Sequence, residues 1–255
     1  MVKRVFALHE VARTTSTQDV ARNAARSGAA EGFCCLAAEQ TAGRGRLGRS
    51  WVAPPGTAML ASVLLRTPEV AAPGVPFAAG LSLRDAVAET TGVEAQLKWP
   101  NDVLIGGRKL AGILVELCSG APAGAGVAVI AGAGVNLTVR EFPDGIDGVS
   151  LHAVTDTVPA PRALLEAWLR HLDARVTALE LNGLPGLLGD WRRYAAGLGA
   201  AVSVRTPSGV IEGTAVDVRD DGALLIAGRA GVTPVLAGDV QLVQTYPHTV
   251  RMHQG

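Results

Sequence analysis

The sequence predicts an α/β (α+β) core over residues 1–198, a small C-terminal β-barrel over 199–246 and a short tail over 247–255. Three observations lead there. Up to Gly183, β-type runs alternate with longer runs of helical period, the pattern of a sheet with helices on it. After Gly199 the texture changes to short β-type runs separated by turn residues. And 255 residues are enough for one medium domain plus a small one.

Residues 2–11 read as a strand, with Val5, Ala7 and His9 alternating against Phe6 and Leu8. Thr14-Thr15-Ser16-Thr17-Gln18-Asp19 follows, and one hydroxyl there can cap a helix over 20–26 that Gly28 ends. The remaining hydroxyls and the Gln18 amide are of the type that reads a polar, uncharged ligand group through directional hydrogen bonds. Residues 33–38 form the strand that delivers Gln40. A strand over 57–66 and a helix over 77–89 come next, with Gly92 past the helix end. Residues 95–98 run into Trp99-Pro100-Asn101-Asp102, where Pro100 removes a ladder hydrogen bond and implies a kink or an edge.

Residues 103–105 and 109–117 make a hairpin about Gly106-Gly107. Arg108 and Lys109 stand at the mouth of a nearly apolar run. A lone buried ammonium is unfavourable, so Lys109 is expected to face an anion or a cavity. Residues 127–131 read as a strand and 132–136 as a sharp exit, its small residues suiting either a ligand's approach or tight strand packing. Helices over 161–181 and 187–196 read as scaffold, with His171 a surface or core residue. The C-terminal β-runs fall at 202–205, 210–218, 223–227 and 232–236.

Formal net charge is zero and the isoelectric point about 7.0, so no global field favours nucleic acid or a membrane surface. Lys3 and Arg4 follow Met1 with no long apolar run, so neither a signal peptide nor a membrane span is expected. Cys34, Cys35 and Cys118 cannot all pair. They read as buried reduced thiols in a cytoplasmic protein. His248 and His253, in the tail, are too far apart to argue for a metal site.

The basic character is local. QTAGRGRLGRSW, residues 40–51, sets Arg44, Arg46 and Arg49 among Gly43, Gly45 and Gly48. Glycine allows close backbone approach, and guanidinium grips phosphate or carboxylate with two bonds. Such a loop is expected to be mobile when empty and ordered around an anion. GRGRLG also matches the dinucleotide fingerprint, but that needs a helix directly after it, and Pro54-Pro55-Gly56 will not start one there. An RNA-binding arginine–glycine segment would recur with interleaved aromatics; this one occurs once, with a single Trp.

GRGRLGR at 43–49, KWPND at 98–102, KLAGILVE at 109–116 and GAGVN at 132–136, with Thr15-Ser16-Thr17, resemble the biotin protein ligases in order and spacing. The match runs from about residue 14 to Gly238-Asp239-Val240, nearly the whole chain. The resemblance implies a mixed-sheet catalytic core similar to class II aminoacyl-tRNA synthetases, carrying an SH3-like barrel. It implies a ligase that joins biotin to ATP as biotinyl-5′-adenylate, releasing pyrophosphate. Biotin then passes to a lysine of a biotin carboxyl carrier protein or domain, as in acetyl-CoA carboxylase. The rivals are a lipoate ligase-like acyltransferase, whose Arg-Arg and triple-glycine pattern is missing, and a nucleic-acid-binding regulator.

That reaction brings a carboxylate to a triphosphate. Unit charges of like sign repel by roughly 4 kcal/mol at about 4 Å and an effective dielectric near 20. Pre-placed cations offset this and stabilise the growing phosphoryl charge. By resemblance, Arg44, Arg46 and Lys109 supply them, Lys109 touching both biotin carboxylate and α-phosphate. Ser16, Thr17, Gln18, Gln40, Gly45 and Gly112 join those three around biotin. Arg46, Arg49, Trp51, Asn101, Lys109 and Asn136 surround ATP, with Trp51 covering the ligand. Mg²⁺ would arrive with ATP, and Asp102 is open to metal ligation or to orienting the incoming lysine amine. A homodimer is compatible with this reading.

Two departures stand out. The family's usual Ser-Thr-Asn is here Ser16-Thr17-Gln18, one methylene longer at the amide. Some members repress transcription through an N-terminal helix-turn-helix. With fifteen residues before Ser16, the monofunctional form with no nucleic-acid partner is expected.

Overall fold

The computed structural model describes residues 3–242 apart from Ala123 and Ala125. The expected tail with His248 and His253, and the last residues of the expected barrel, lie outside the described residues. The chain divides into two compact units, residues 1–196 with 220–222, and residues 197–219 with 223 onward.

The first unit contains β1 (Ala7–Thr14), α1 (Thr17–Arg26), β2 (Phe33–Gln40), β3 (Ala58–Thr67) and α2 (Val75–Thr91). It continues with β4 (Gln96–Lys98), β5 (Asp102–Ile105), β6 (Arg108–Leu117), β7 (Val127–Asn136), α3 (Pro161–Asn182), α4 (Pro185–Tyr194) and β8 (Ala195–Ala196). The strands form one eight-stranded sheet in the order β1-β2-β3-β7-β6-β5-β4-β8. The β1–β2 and β4–β8 pairs are parallel and the others antiparallel, so the sheet is mixed.

Side chains alternate between the faces of a strand, so register decides what each face carries. Ser62 of β3 is opposite Gly132 of β7, which is opposite Leu114 of β6. Leu60, Gly134 and Gly112 form the neighbouring row on the same face. Towards one end of this face α1 sets Ala21 and Ala25 against Leu64, Ile130 and Cys118. The other end, lined by glycine, carries no helix. The opposite face is covered: at Gly80 of α2 a Cβ would lie 3.6 Å from Leu97 and 3.8 Å from Ile113. Behind it Trp168 of α3 is fully buried and its indole N–H donates to Ala79 O at 3.1 Å. Burial of side chains this size contributes about 1.5–3 kcal/mol each.

Several expected boundaries move. The first strand begins at Ala7 rather than residue 2 and runs to Thr14, because β2 templates it from Ala7↔Phe33 to Thr14↔Gln40. Arg4 is instead held by Glu31 at 2.8 Å, Asp173 at 3.3 Å and Glu180 at 2.6 Å. Helix α1 starts three residues early, at Thr17; Ser16 takes the cap position with extended backbone but its hydroxyl makes no cap bond. The expected sharp exit at 132–136 is the second half of β7, whose glycines pair regularly with β3 and β6. Their smallness therefore serves what lies above the strand.

The second unit is a five-stranded antiparallel sheet, ordered β12-β11-β10-β9-β13. Its strands are β9 (Ala201–Thr206), β10 (Gly209–Val218), β11 (Leu224–Gly228), β12 (Gly231–Val235) and β13 (Asp239–Leu242). Val202, Val204, Val218, Leu224, Ile226 and Val240 alternate into its core. A strand at 239–242 was not expected; its run is short and polar, and pairing with β9 fixes it.

Candidate active site

The helix-free end of the sheet face is the floor of a cleft enclosing about 950 Å³, its open mouth included. Every expected ligand-binding residue lines it: Ser16, Thr17, Gln18, Gln40, Arg44, Gly45, Arg46, Arg49, Trp51, Asn101, Lys109, Gly112 and Asn136. Asp102 stands behind the lining and reaches the site through Lys109, whose Nζ lies 2.6 Å from Asp102 Oδ1.

One end is a polar pocket. Gln40 Oε1 accepts from the Thr17 N–H at 2.7 Å and from the Thr17 hydroxyl at 3.0 Å. With the Thr17 proton so committed, the Ser62 hydroxyl donates to Thr17 Oγ1, 2.8 Å away. Thr17 and Ser62 are buried, so each bond is shielded from competing water. Ser62 escaped the sequence reading; the signal available was a lone hydroxyl inside an apolar run.

Trp51 lies flat on the glycines. A Cβ on Gly134 would sit 2.5 Å from Trp51 Cε2, and one on Gly112 would sit 3.0 Å from Cζ3. The indole can occupy this place only because both positions lack side chains. The loop that carries it closes on itself through Trp51 N–H to Gly43 O at 2.9 Å and Gly45 N–H to Arg49 O at 2.7 Å. Leu47, in the middle, takes the left-handed φ of 55° that non-glycine residues seldom adopt.

Lys109 reaches this face through a bulge. Val103 pairs with Ala111 but Leu104 with Lys109, so Leu110 is an extra residue in β6. Simple alternation would put Lys109 and Gly112 on opposite faces; the extra residue brings them together. A Cβ on Gly112 would lie 3.5 Å from Lys109 Nζ. The backbone of Lys109 is clamped from outside the sheet, its N–H donating to Asp147 O at 2.8 Å and its C=O accepting from Val149 N–H at 2.9 Å. Lys109 Nζ also lies 5.9 Å from the Trp51 ring centroid, within reach of a cation–π attraction.

Of the arginines, Arg44 contacts Asp19 at 2.9 Å and Glu116 at 3.2 Å. Arg46 donates to Asn101 Oδ1 at 3.3 Å, and Asn101 Nδ2 donates to Ile113 O at 2.9 Å. Asn136 Nδ2 donates to Lys109 O at 3.4 Å and Val149 O at 3.3 Å, so its amide nitrogen holds backbone together. Phe142, Pro143 and Ile146 complete the mouth, in a segment between β7 and α3 to which the sequence alone assigns nothing. Ser16 Oγ, Gln18 Oε1, Arg44 Nε and Trp51 Nε1 are buried with no hydrogen-bond partner among the described residues, and all four belong to cleft-lining residues. A buried polar atom without a partner costs about 1–3 kcal/mol, which a ligand bearing matching groups would recover.

Residues 10–136 match the model of the biotin/lipoate A/B protein ligase family, and residues 197–243 that of the biotin protein ligase C terminal domain. The chain is 36% identical over 241 residues to a biotin–[acetyl-CoA-carboxylase] ligase of Mycobacterium tuberculosis, covering 91% of this chain and 88% of that one. It is 35% identical over 240 residues to the ligase of the same description from Paracoccus denitrificans, covering 90% and 98%. Among solved structures it resembles the biotin protein ligase of Aquifex aeolicus in complex with biotin and ATP. The TM-score there is 0.79 at 28% identity, over 92% of this chain and 98% of that one. It also resembles the biotin protein ligase of Leishmania major in complex with biotinyl-5-AMP, with TM-score 0.64 at 27% identity, over 89% and 98%.

Proposed function

Because the chain belongs to the biotin protein ligases, we propose the following account of how its cleft joins biotin, ATP and a protein lysine. The enzyme is an ATP-dependent biotin–[acetyl-CoA-carboxylase] ligase. A biotin carboxylate oxygen attacks the α-phosphorus of ATP, pyrophosphate leaves, and biotinyl-5′-adenylate forms. The amine of a carrier-domain lysine then attacks the acyl carbon, loses a proton, and AMP leaves.

The polar pocket of Ser16, Thr17, Gln18, Gln40 and Ser62 takes the cyclic urea of biotin. Its buried hydrogen bonds and unpartnered oxygens match a group that both donates and accepts. The valeryl chain takes the place over Gly112 and Gly134 that the Trp51 indole fills in this structure, which directs the carboxylate toward Lys109. Lys109 is a compact cation clamped at its backbone, set where a carboxylate and an α-phosphate would meet. Asp102 holds the ammonium aimed before the substrates arrive, and lies near enough to receive the incoming lysine amine. Arg44, Gly45, Arg46, Arg49, Trp51, Asn101 and Asn136 surround the adenylate. Mg²⁺ arrives with the triphosphate, with Asp102 open to ligating it. The buried reduced thiols suit a cytoplasmic enzyme whose partner is a carboxylase carrier domain.

The observation that carries this reading is the convergence of Lys109, Arg44, Arg46 and four unpartnered buried polar atoms on one glycine-floored cleft. The test offers biotin or lipoate, with ATP and Mg²⁺, to the enzyme and a biotin carrier domain. Pyrophosphate release and a biotinyl mass gain on one carrier lysine are expected. Lipoyl transfer without biotinyl transfer would overturn the assignment.

A further inference from the structure

Gln18 is the position where this chain departs from the Ser-Thr-Asn pattern, and it is buried, with 3% of its surface exposed. Its Nε2 donates to Glu116 Oε2 at 2.8 Å and Leu114 O at 3.3 Å. Both partners are acceptors only, so the NH₂ end of the amide must face them. The other end, Oε1, is buried, has no partner, and lies over Gly132 on the floor of the cleft. The amide therefore presents an acceptor to the ligand and cannot present a donor while the carboxylate stays where it is.

Glu116 Oε2 is itself anchored. It accepts from Arg22 Nη2 at 2.7 Å and from Arg44 Nη2 at 3.2 Å. Arg22 in turn holds Asp19 at 2.6 Å. We propose that Glu116 is a positioning residue that fixes the Gln18 amide with its oxygen toward the cleft, so that Gln18 Oε1 accepts an N–H of the bound urea ring. This rests on the biotin reading of the cleft and assigns the discrimination between ring donor and ring acceptor to a residue outside the lining. The same oxygen touches the arginine loop through Arg44 and helix α1 through Arg22, but both arginines also pair with Asp19, at 2.9 Å and 2.6 Å. A neutral substitution at Glu116 therefore falls chiefly on Gln18.

Glu116→Gln tests the idea, because it removes the charge that holds the NH₂ end of the Gln18 amide. Biotin affinity is measured by calorimetry without ATP in four proteins: wild type, Glu116→Gln, Gln18→Leu and the double variant, with folding checked by thermal melting. Leaving one buried hydrogen-bonding group of the urea ring unmatched weakens binding about tenfold. That loss is expected for Glu116→Gln in the Gln18 background, with kcat at saturating biotin changed little. In the Gln18→Leu background the same substitution should change affinity less than about twofold, the non-additivity of residues acting through one contact. Unchanged biotin affinity in folded Glu116→Gln, or equal losses in both backgrounds, overturns the proposal. Failure of the wild type to bind biotin would instead strike the functional reading itself.

Discussion

The floor of the cleft and the arginine loop above it bring polar groups to the same space by opposite means. On the floor, position comes from sheet register: Ser62, Gly132, Leu114 and Glu116 share a face because β3, β7 and β6 are locked side by side. In the loop, position comes from two backbone closures, a left-handed Leu47, and ion pairs to carboxylates outside the loop. The floor tolerates little change of shape and carries little charge. The loop carries the charge and depends on partners for its place. The contrast implies that floor substitutions act by steric or hydrogen-bond loss, whereas loop substitutions act on ligand retention and leave the fold intact.

The sharpest break should come where floor and charge meet. Lys109→Ala is expected to lower the rate of pyrophosphate release by about 10²–10³-fold, the scale of removing one preorganised electrostatic group. Thermal stability should hardly move, and release at the native rate would remove Lys109 from the chemistry. Gly134→Ala comes next. Its Cβ would meet Trp51 at 2.5 Å, and displacing the indole by about 1 Å is expected to slow adenylate formation by about 10²-fold. Gly48→Ala, in the loop, has open space around it and should cost about 1 kcal/mol of backbone strain without that kinetic loss.

Arg46→Gly should let the adenylate escape roughly tenfold faster, the worth of one charge-assisted contact. Trapping of released adenylate by free amines measures this, and unchanged release would detach Arg46 from the phosphate. Thr17→Val should destabilise the fold by about 1–3 kcal/mol, since it strands the Ser62 hydroxyl in a buried pocket while the backbone N–H at 17 still serves Gln40. The smallest effect belongs to the thiols. Burial and its neighbour Cys35 push the Cys34 thiol up to about 12, and burial pushes Cys35 up to about 11. Both values exceed the ordinary 9.0, so their contribution to stability is complete below about pH 9 and is lost as pH rises toward 11 and beyond. Alkylation of the native protein at neutral pH should be slow, and rapid labelling would show the strands opening.

The residues of the loop were legible in the sequence because charge among glycines has few other uses, and Trp51 because one bulky residue follows them. Lys109 was legible for a different reason, an ammonium at the mouth of an apolar run. Glu116, Asp19 and Ser62 were not. Each lies where only register or helix placement brings it to the cleft, and a carboxylate near a strand end reads as solvated until its partners are known. The glycines of β7 suggest a sharp exit open to a ligand or to tight strand packing, and local sequence does not reveal that an indole lies across them. Helix and strand boundaries shifted where a neighbour templated the chain, as β2 does for β1.

The extra residue at Leu110 makes the ammonium's side of the sheet a question of odd and even. Deleting that one leucine would restore plain alternation with Lys109 still opposite Leu104 and on the side of Gly112, whereas keeping all three steps without the bulge would turn the cation toward α2. What the hairpin has to keep is the pairing of Lys109 with Leu104, and a ligase redesigned there must preserve that register as well as the chemistry.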